Sequence, residues 1–230
     1  MHRPLFIALL VGGAVTSRAA DLTPTEAGWL KLSGPALAYA KQQRLPLDVT
    51  FDPHAKSGDA PLSMGFVGGR CQLVFAIRGN PDADATLAGI EPDLLNPVVE
   101  AMVAHELGHC WRFVRGAWRT VPAGFVESND GGRDVDWSAA RLRRDMRETR
   151  REEAYADLVG LAWTLTHHPA QYDQVHAWFC RVRADQPVPG AHHDTRAWLR
   201  LAGDSLLFPS IAGPFEQALA VWQRGLRSED

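Results

Sequence analysis

From Asn96 to Gly116 the chain reads NPVVEAMVAHELGHCWRFVRG. The apolar residues Val99, Met102, Val103, Leu107, Cys110 and Val114 recur at the three- and four-residue spacing of one helix face. Asn96 suits the cap, Pro97 the first helical position and Gly116 the stop. Inside this helix sits His105-Glu106-Leu107-Gly108-His109. Histidines at i and i+4 share a helix face one turn apart, so both imidazoles can reach one cation. Zinc takes imidazole nitrogen in tetrahedral sites, and a catalytic site keeps one position for water. Glu106, beside the first histidine, is placed to act as general base on that water.

Two imidazoles need a further ligand, and the next helix downstream offers carboxylates. Residues 138–167 read as helical, with room for two helices, and carry Glu153-Ala154-Tyr155-Ala156-Asp157. Glu153 and Asp157 are again i and i+4, so one can ligate while the other accepts a hydrogen bond from a ligating histidine and fixes its tautomer. Ala154 and Ala156 keep this helix slim where it approaches the first. A competing reading pairs Glu152, Glu153 and Asp157 with Arg147, Arg150 and Arg151.

The HELGH helix followed by ExxxD on a later helix resembles the gluzincin zinc peptidases. The run Glu153-Ala-Tyr-Ala-Asp157-Leu-Val-Gly160 is closest to the soluble relatives of the CAAX-processing protease branch. The resemblance implies a zincin-like fold and a Zn2+ cofactor. His105, His109 and Glu153 would be the metal ligands, Glu106 the base and proton shuttle, and Asp157 the partner of a histidine. Members often carry a later histidine or tyrosine that stabilises the oxyanion. Here His192-His193-Asp194-Thr195-Arg196 supplies the candidates, with His193 preferred as the second catalytic residue and Asp194 as a competing helix cap. Metzincins are disfavoured, because no third histidine follows His109 closely. His167, His168 and His176 read as helix-end or surface residues.

Upstream, residues 24–44 look helical with an interruption at Ser33-Gly34-Pro35. Leu47 to Phe51 alternates and is β-branched, as a strand does. Met64–Val67 and Arg70–Ile77 flank Gly68-Gly69, a two-residue hairpin signal, and Gly79-Asn80-Pro81 closes the region. The strand from Arg70 could also offer an open edge to an extended peptide. The order of helix, small antiparallel sheet, then helices is an α+β arrangement. Past the metal helix, 117–136 and 186–190 read as loops, and helices are expected from 169 to about 184, from Asp194 to about 202, and from Pro214.

Met1-His2-Arg3-Pro4, the apolar run from Leu5 to Val15 and Ser17-Arg18-Ala19 have the layout of a secretory signal peptide. The expectation is a leader at 1–19, a single domain at 20–230, and a periplasmic or secreted protein with no membrane span in the mature chain. Cys71, Cys110 and Cys180 then allow one intrachain disulfide, whose pairing stays open. Cys110 beside His109 is not a nucleophile–base pair, since neighbours on a helix point about 100° apart. It reads as a buried structural cysteine.

With a formal charge of −3 and no basic stripe, nucleic acid is a poor partner. The arginine-rich 141–151 stretch is interleaved with Asp145 and Glu148 and reads as a solvated helix face. No phosphate-binding glycine loop, GxSxG or CxxC competes with the metal motif. The expectation is a zinc-dependent endopeptidase acting on a peptide or protein. The alternative is an inactive binding module of the same fold in an exported assembly.

Overall fold

The computed structural model describes residues 22–123, 125, 137–184, 191–210 and 213–227, apart from the side chains at 137, 139 and 140. The expected leader, much of the 117–136 loop and the 186–190 loop lie outside them. In chain order come α1 (Pro24–Gln42), β1 (Leu47–Phe51), β2 (Leu62–Val67), β3 (Arg70–Phe75), α2 (Pro81–Leu87), α3 (Leu95–Val114), α4 (Trp137–His167), α5 (Tyr172–Ala184), α6 (Arg196–Ala202) and α7 (Pro214–Gly225). The fold is α+β, mostly helical, with one small sheet ahead of the HELGH helix. None of the described helices is long and apolar enough to cross a membrane.

The sheet is mixed, which corrects the antiparallel expectation. Gly68 and Gly69, both at positive φ, turn β2 into an antiparallel β3 as the sequence indicates. β1 joins the far side of β3 in parallel, from Leu47↔Cys71 to Phe51↔Phe75, giving the order β1-β3-β2. Residues 52–69, with β2 among them, serve as the crossover that a parallel pair needs. The strand from Arg70 is therefore paired on both sides and offers no open edge, contrary to expectation, and β2 is an edge in its place.

Helix α1 opens on a capping box in which Thr23 accepts from the N–H of Glu26 and the Glu26 carboxylate accepts from the N–H of Thr23. It runs unbroken through Pro35, against the expected interruption. Pro35 removes the partner of the Lys31 carbonyl, and both residues are exposed, so water can replace the lost bond. Trp29, Ser33, Ala36 and Ala40 form its buried face. Helix α2 was not anticipated, although Asn80 caps it by accepting from the N–H of Asp82 and Pro81 takes its first position.

Helix α3 is central and packs on α1, α4, β2 and β3. It starts before the expected cap, with Leu94 in the cap position and no side-chain cap bond. Helix α4 is one helix, not two, and lies antiparallel to α3. A Cβ on Gly108 would lie 3.3 Å from the Cα of Ala156, and one on Gly160 would lie 2.7 Å from the carbonyl oxygen of Ala101. Small residues thus let the helices that carry the candidate ligands close together. Behind them Trp163, Trp198, Trp222, Tyr155 and Phe215 fill the core.

One disulfide, Cys71–Cys110, ties the central strand to α3 at the residue after His109, and Cys180 is a free thiol. Helix α6 is capped at Thr195, not Asp194. The Asp194 carboxylate instead accepts two bonds from Arg196, at 2.7 and 2.9 Å.

Candidate metal centre

His105 and His109 project from one face of α3, as their spacing requires, and both are buried. Glu153 on α4 meets them. His105 Nε2 and His109 Nε2 are 3.2 Å apart, and the Glu153 oxygens lie 3.5 Å from His105 Nε2 and 3.4 Å from His109 Nε2. Ligand atoms at the corners of a tetrahedron with metal bonds of about 2.05 Å are separated by about 3.3 Å. The two imidazole nitrogens stand near that separation, a different Glu153 oxygen meets each of them, and one donor atom from each residue lies within 4.8 Å of the others, so together they could hold a metal ion. His109 Nδ1 is buried with no polar partner among the described residues, which leaves Nε2 as its only engaged nitrogen.

Asp157, one turn beyond Glu153 and fully buried, explains how His105 is oriented. Its Oδ1 lies 2.9 Å from His105 Nδ1, so Nδ1 donates a hydrogen bond to it and Nε2 is the nitrogen that faces the centre. The same carboxylate accepts from Arg183 Nε at 2.9 Å and Nη2 at 2.6 Å, and from the Thr195 hydroxyl at 2.6 Å. Burial alone would raise its pKa. The Arg183 charge and these bonds outweigh burial and hold it at about 2. Arg183 also reaches Glu153, at 3.4 Å.

Glu106 lies in the wall of the cleft, and among the described residues no hydrogen bond engages its carboxylate. Burial raises its pKa, opposed by the neighbouring histidines. With neutral imidazoles and ionised carboxylates, Arg183 is the one cation among the described residues that pairs with Glu153 and Asp157 at the centre, against three negative charges with Glu106. The remaining two negative charges are the complement of a divalent cation.

Known protein families, curated proteins and solved structures yield no match to this chain. The reading of the centre therefore rests on its own geometry. His105, Glu106, His109, Glu153 and Asp157 are brought together as the sequence indicated. His193 is brought beside them rather than among them. Its Nε2 is 3.5 Å from Glu153 Oε2, it lines the cleft, and its pKa is lowered, first by burial. Arg196 is turned away onto Asp194. The competing arginine pairing does not account for the acids. Glu152 pairs with Arg112, at 2.8 Å, and Asp157 with Arg183.

Arg183 and Thr195 escaped the sequence reading. Tyr172, Val175 and Phe179 form the buried face of α5, and Arg183 falls four residues after Phe179 on that same stripe. A charged residue continuing an apolar stripe signals a buried partner. Thr195 carried no such signal.

The centre opens into a cleft of about 750 Å3. β2 forms one wall, α3 the floor, and Phe179 and Val182 of α5 the opposite wall. Pro61 accepts from the N–H of Ala76, which sets the hydrogen-bonding alternation of the β2–β3 pair. Ser63 and Gly65 then bond to β3, while Leu62 and Met64, which line the cleft, leave their backbone N–H and C=O on the free edge of the sheet.

Proposed function

We propose that the protein is a zinc-dependent endopeptidase exported from the cytoplasm. The observation that carries the reading is the set of two imidazoles and one carboxylate with donor atoms within 4.8 Å of one another, and Glu106 beside them in a cleft flanked by an open strand edge. Two nitrogens and one oxygen match the three-ligand donor sets of catalytic zinc. The open cleft favours catalysis over an inactive binding module of the same fold. The Cys71–Cys110 disulfide supports an oxidising compartment, in keeping with the expected leader.

Bound zinc supplies Lewis acidity, lowering the pKa of water and polarising a substrate carbonyl. The protein's own groups do the rest. Leu62 and Met64 hold an extended substrate through main-chain hydrogen bonds. Glu106 takes a proton from the attacking water and delivers it to the leaving amine. His193, at the rim, donates toward the carbonyl oxygen as negative charge develops there. Asp157 keeps His105 in the ligating tautomer.

The test combines elemental analysis with a broad peptide library. Wild-type protein should carry one zinc per chain and cleave peptides. Glu106→Gln should keep the zinc and lose turnover, and Glu153→Ala should lose the zinc. Full zinc occupancy in Glu153→Ala removes Glu153 from the ligand set. A zinc-loaded wild type that cleaves nothing leaves the binding-module reading in possession.

A further inference from the structure

The turn that follows the metal helix is anchored on a buried ion pair. Arg112, near the end of α3, donates from Nε to Glu152 Oε2 at 2.8 Å. Its Nη2 donates to the carbonyls of Ala117 and Thr120, at 2.7 and 2.6 Å. Glu152 Oε1 accepts from the backbone N–H of Arg119 at 2.7 Å. The Trp222 ring covers the guanidinium, 4.3 Å from its centre. Arg119 stands at φ +56°, the left-handed region that a non-glycine residue seldom occupies.

These anchors gather the backbone on both sides of Trp118. Its half-buried ring lines the cleft, with its centre 4.9 Å from that of Phe66 and 5.4 Å from that of His109. Arg44 also stands at positive φ, in the exposed turn after α1, so the buried ion pair and not the φ of Arg119 sets this turn apart. A solvated surface turn needs no such pair, and backbone pinned by buried partners clusters at sites where a side chain is aimed. The side chain aimed here is an indole left open beside a metal ligand.

Resting on the peptidase reading, the chemistry gives the cleft a direction. The leaving amine receives its proton from Glu106, so the amine side of the scissile bond lies toward Glu106 and Met102, one turn earlier on α3. The acyl side lies toward His109 and Trp118. We propose that Trp118 is the platform for an aromatic or large apolar side chain on the residue preceding the scissile bond, and that Arg112 and Glu152 are the positioning pair that aims it. Aromatic stacking supplies the attraction, and Phe66 backs the indole.

The test uses two extended peptides of one sequence that differ only in Phe or Ala at one central position, the residue before the expected scissile bond. Wild type should favour Phe by about tenfold in kcat/KM, the scale of one well-filled apolar pocket. Trp118→Ala should bring the two peptides level, and Trp118→Phe should keep most of the preference. Glu152→Gln should reduce the preference severalfold with zinc content unchanged. A merely structural defect would lower both peptides together and leave the ratio alone. A second arm measures binding of both peptides to the zinc-loaded Glu106→Gln protein, with and without Trp118→Ala. An unchanged Phe preference in Trp118→Ala overturns the platform while leaving the peptidase intact. If wild type cleaves neither peptide, Trp118-dependent binding of the Phe peptide keeps the platform and fells only the hydrolytic reading. No binding of either peptide overturns both.

Discussion

The Arg183 guanidinium lies across the Asp157 carboxylate, with Nε 2.9 Å from Oδ2 and Nη2 2.6 Å from Oδ1. Through that pair a residue of α5 governs an imidazole of α3 that it does not touch. Asp157 aims His105, and Arg183 together with Thr195 fixes Asp157. The arginine also cancels one of the three carboxylate charges that converge on the centre.

Replacing Arg183 by methionine keeps much of its volume and removes the charge. Asp157 then stays buried with only His105 as a charged partner, a change that costs up to about 3–5 kcal/mol. Denaturant unfolding of the metal-free protein should show that loss. Metal affinity, read by competition with a chelator, should fall by about 10–100-fold, the range found when a ligand's hydrogen-bond partner is lost. Undiminished affinity in Arg183→Met would mean that Asp157 holds His105 unaided.

The approach of α3 to α4 is tested at Gly160. A Cβ there would meet the Ala101 carbonyl oxygen at 2.7 Å and Phe179 Cζ at 2.9 Å, and the backbone oxygen cannot swing aside. Gly160→Ala should destabilise by about 1–3 kcal/mol through overpacking, and it should weaken metal binding by forcing the helices that hold His105 and Glu153 apart. Gly34 on α1 is the control, because a Cβ there meets nothing within 4 Å. Gly34→Ala should stabilise by about 0.5–1 kcal/mol. Thermal unfolding of the two variants should therefore move in opposite directions.

These two sites mark the boundary of what the sequence made legible. The helices that carry the candidate ligands could be read because their chemistry repeats at helical spacing: His105 and His109, then Glu153 and Asp157, each pair one turn apart. The hairpin could be read because Gly68-Gly69 is a local signal. The parallel pairing of β1 could not, since it depends on where a chain segment returns after the hairpin, and nothing in Leu47–Phe51 encodes its partner. The same holds for Arg183 and Trp118, which reach the cleft from elements whose placement is decided by packing. Pro35 misled for the opposite reason. A local breaker was overridden because its lost hydrogen bond falls on the solvent side of α1.

The disulfide restrains His109 from a distant part of the chain, through its neighbour Cys110. Closing a loop across a separation of 39 residues restricts the unfolded chain by an amount worth about 4 kcal/mol. A Cys71→Ala, Cys110→Ala double variant should lose stability on that scale in denaturant titrations. It should also bind metal more weakly, because β3 no longer holds α3 beside the second histidine. Reduction of the wild type should reproduce both effects, and a Cys180→Ala variant neither.

Proton release follows from the same centre. In the metal-free protein burial works against a charge on His105, but the hydrogen bonds to Asp157 and Glu153 outweigh it and lift its pKa from 6.5 to about 10. A raised histidine pKa stabilises the folded metal-free chain fully below 6.5, and that contribution is lost as pH rises through about 10. The unfolding midpoint of metal-free protein should accordingly decline across this alkaline window. Metal must displace the His105 proton to reach Nε2, so at neutral pH its uptake should release about one proton, and its affinity should rise about tenfold per pH unit. Calorimetry in buffers of differing ionisation enthalpy counts that proton directly. Asp157→Asn removes the carboxylate that holds the proton on His105, so in that variant both the released proton and the alkaline decline should shrink. If they persist unchanged, Asp157 is not what charges His105.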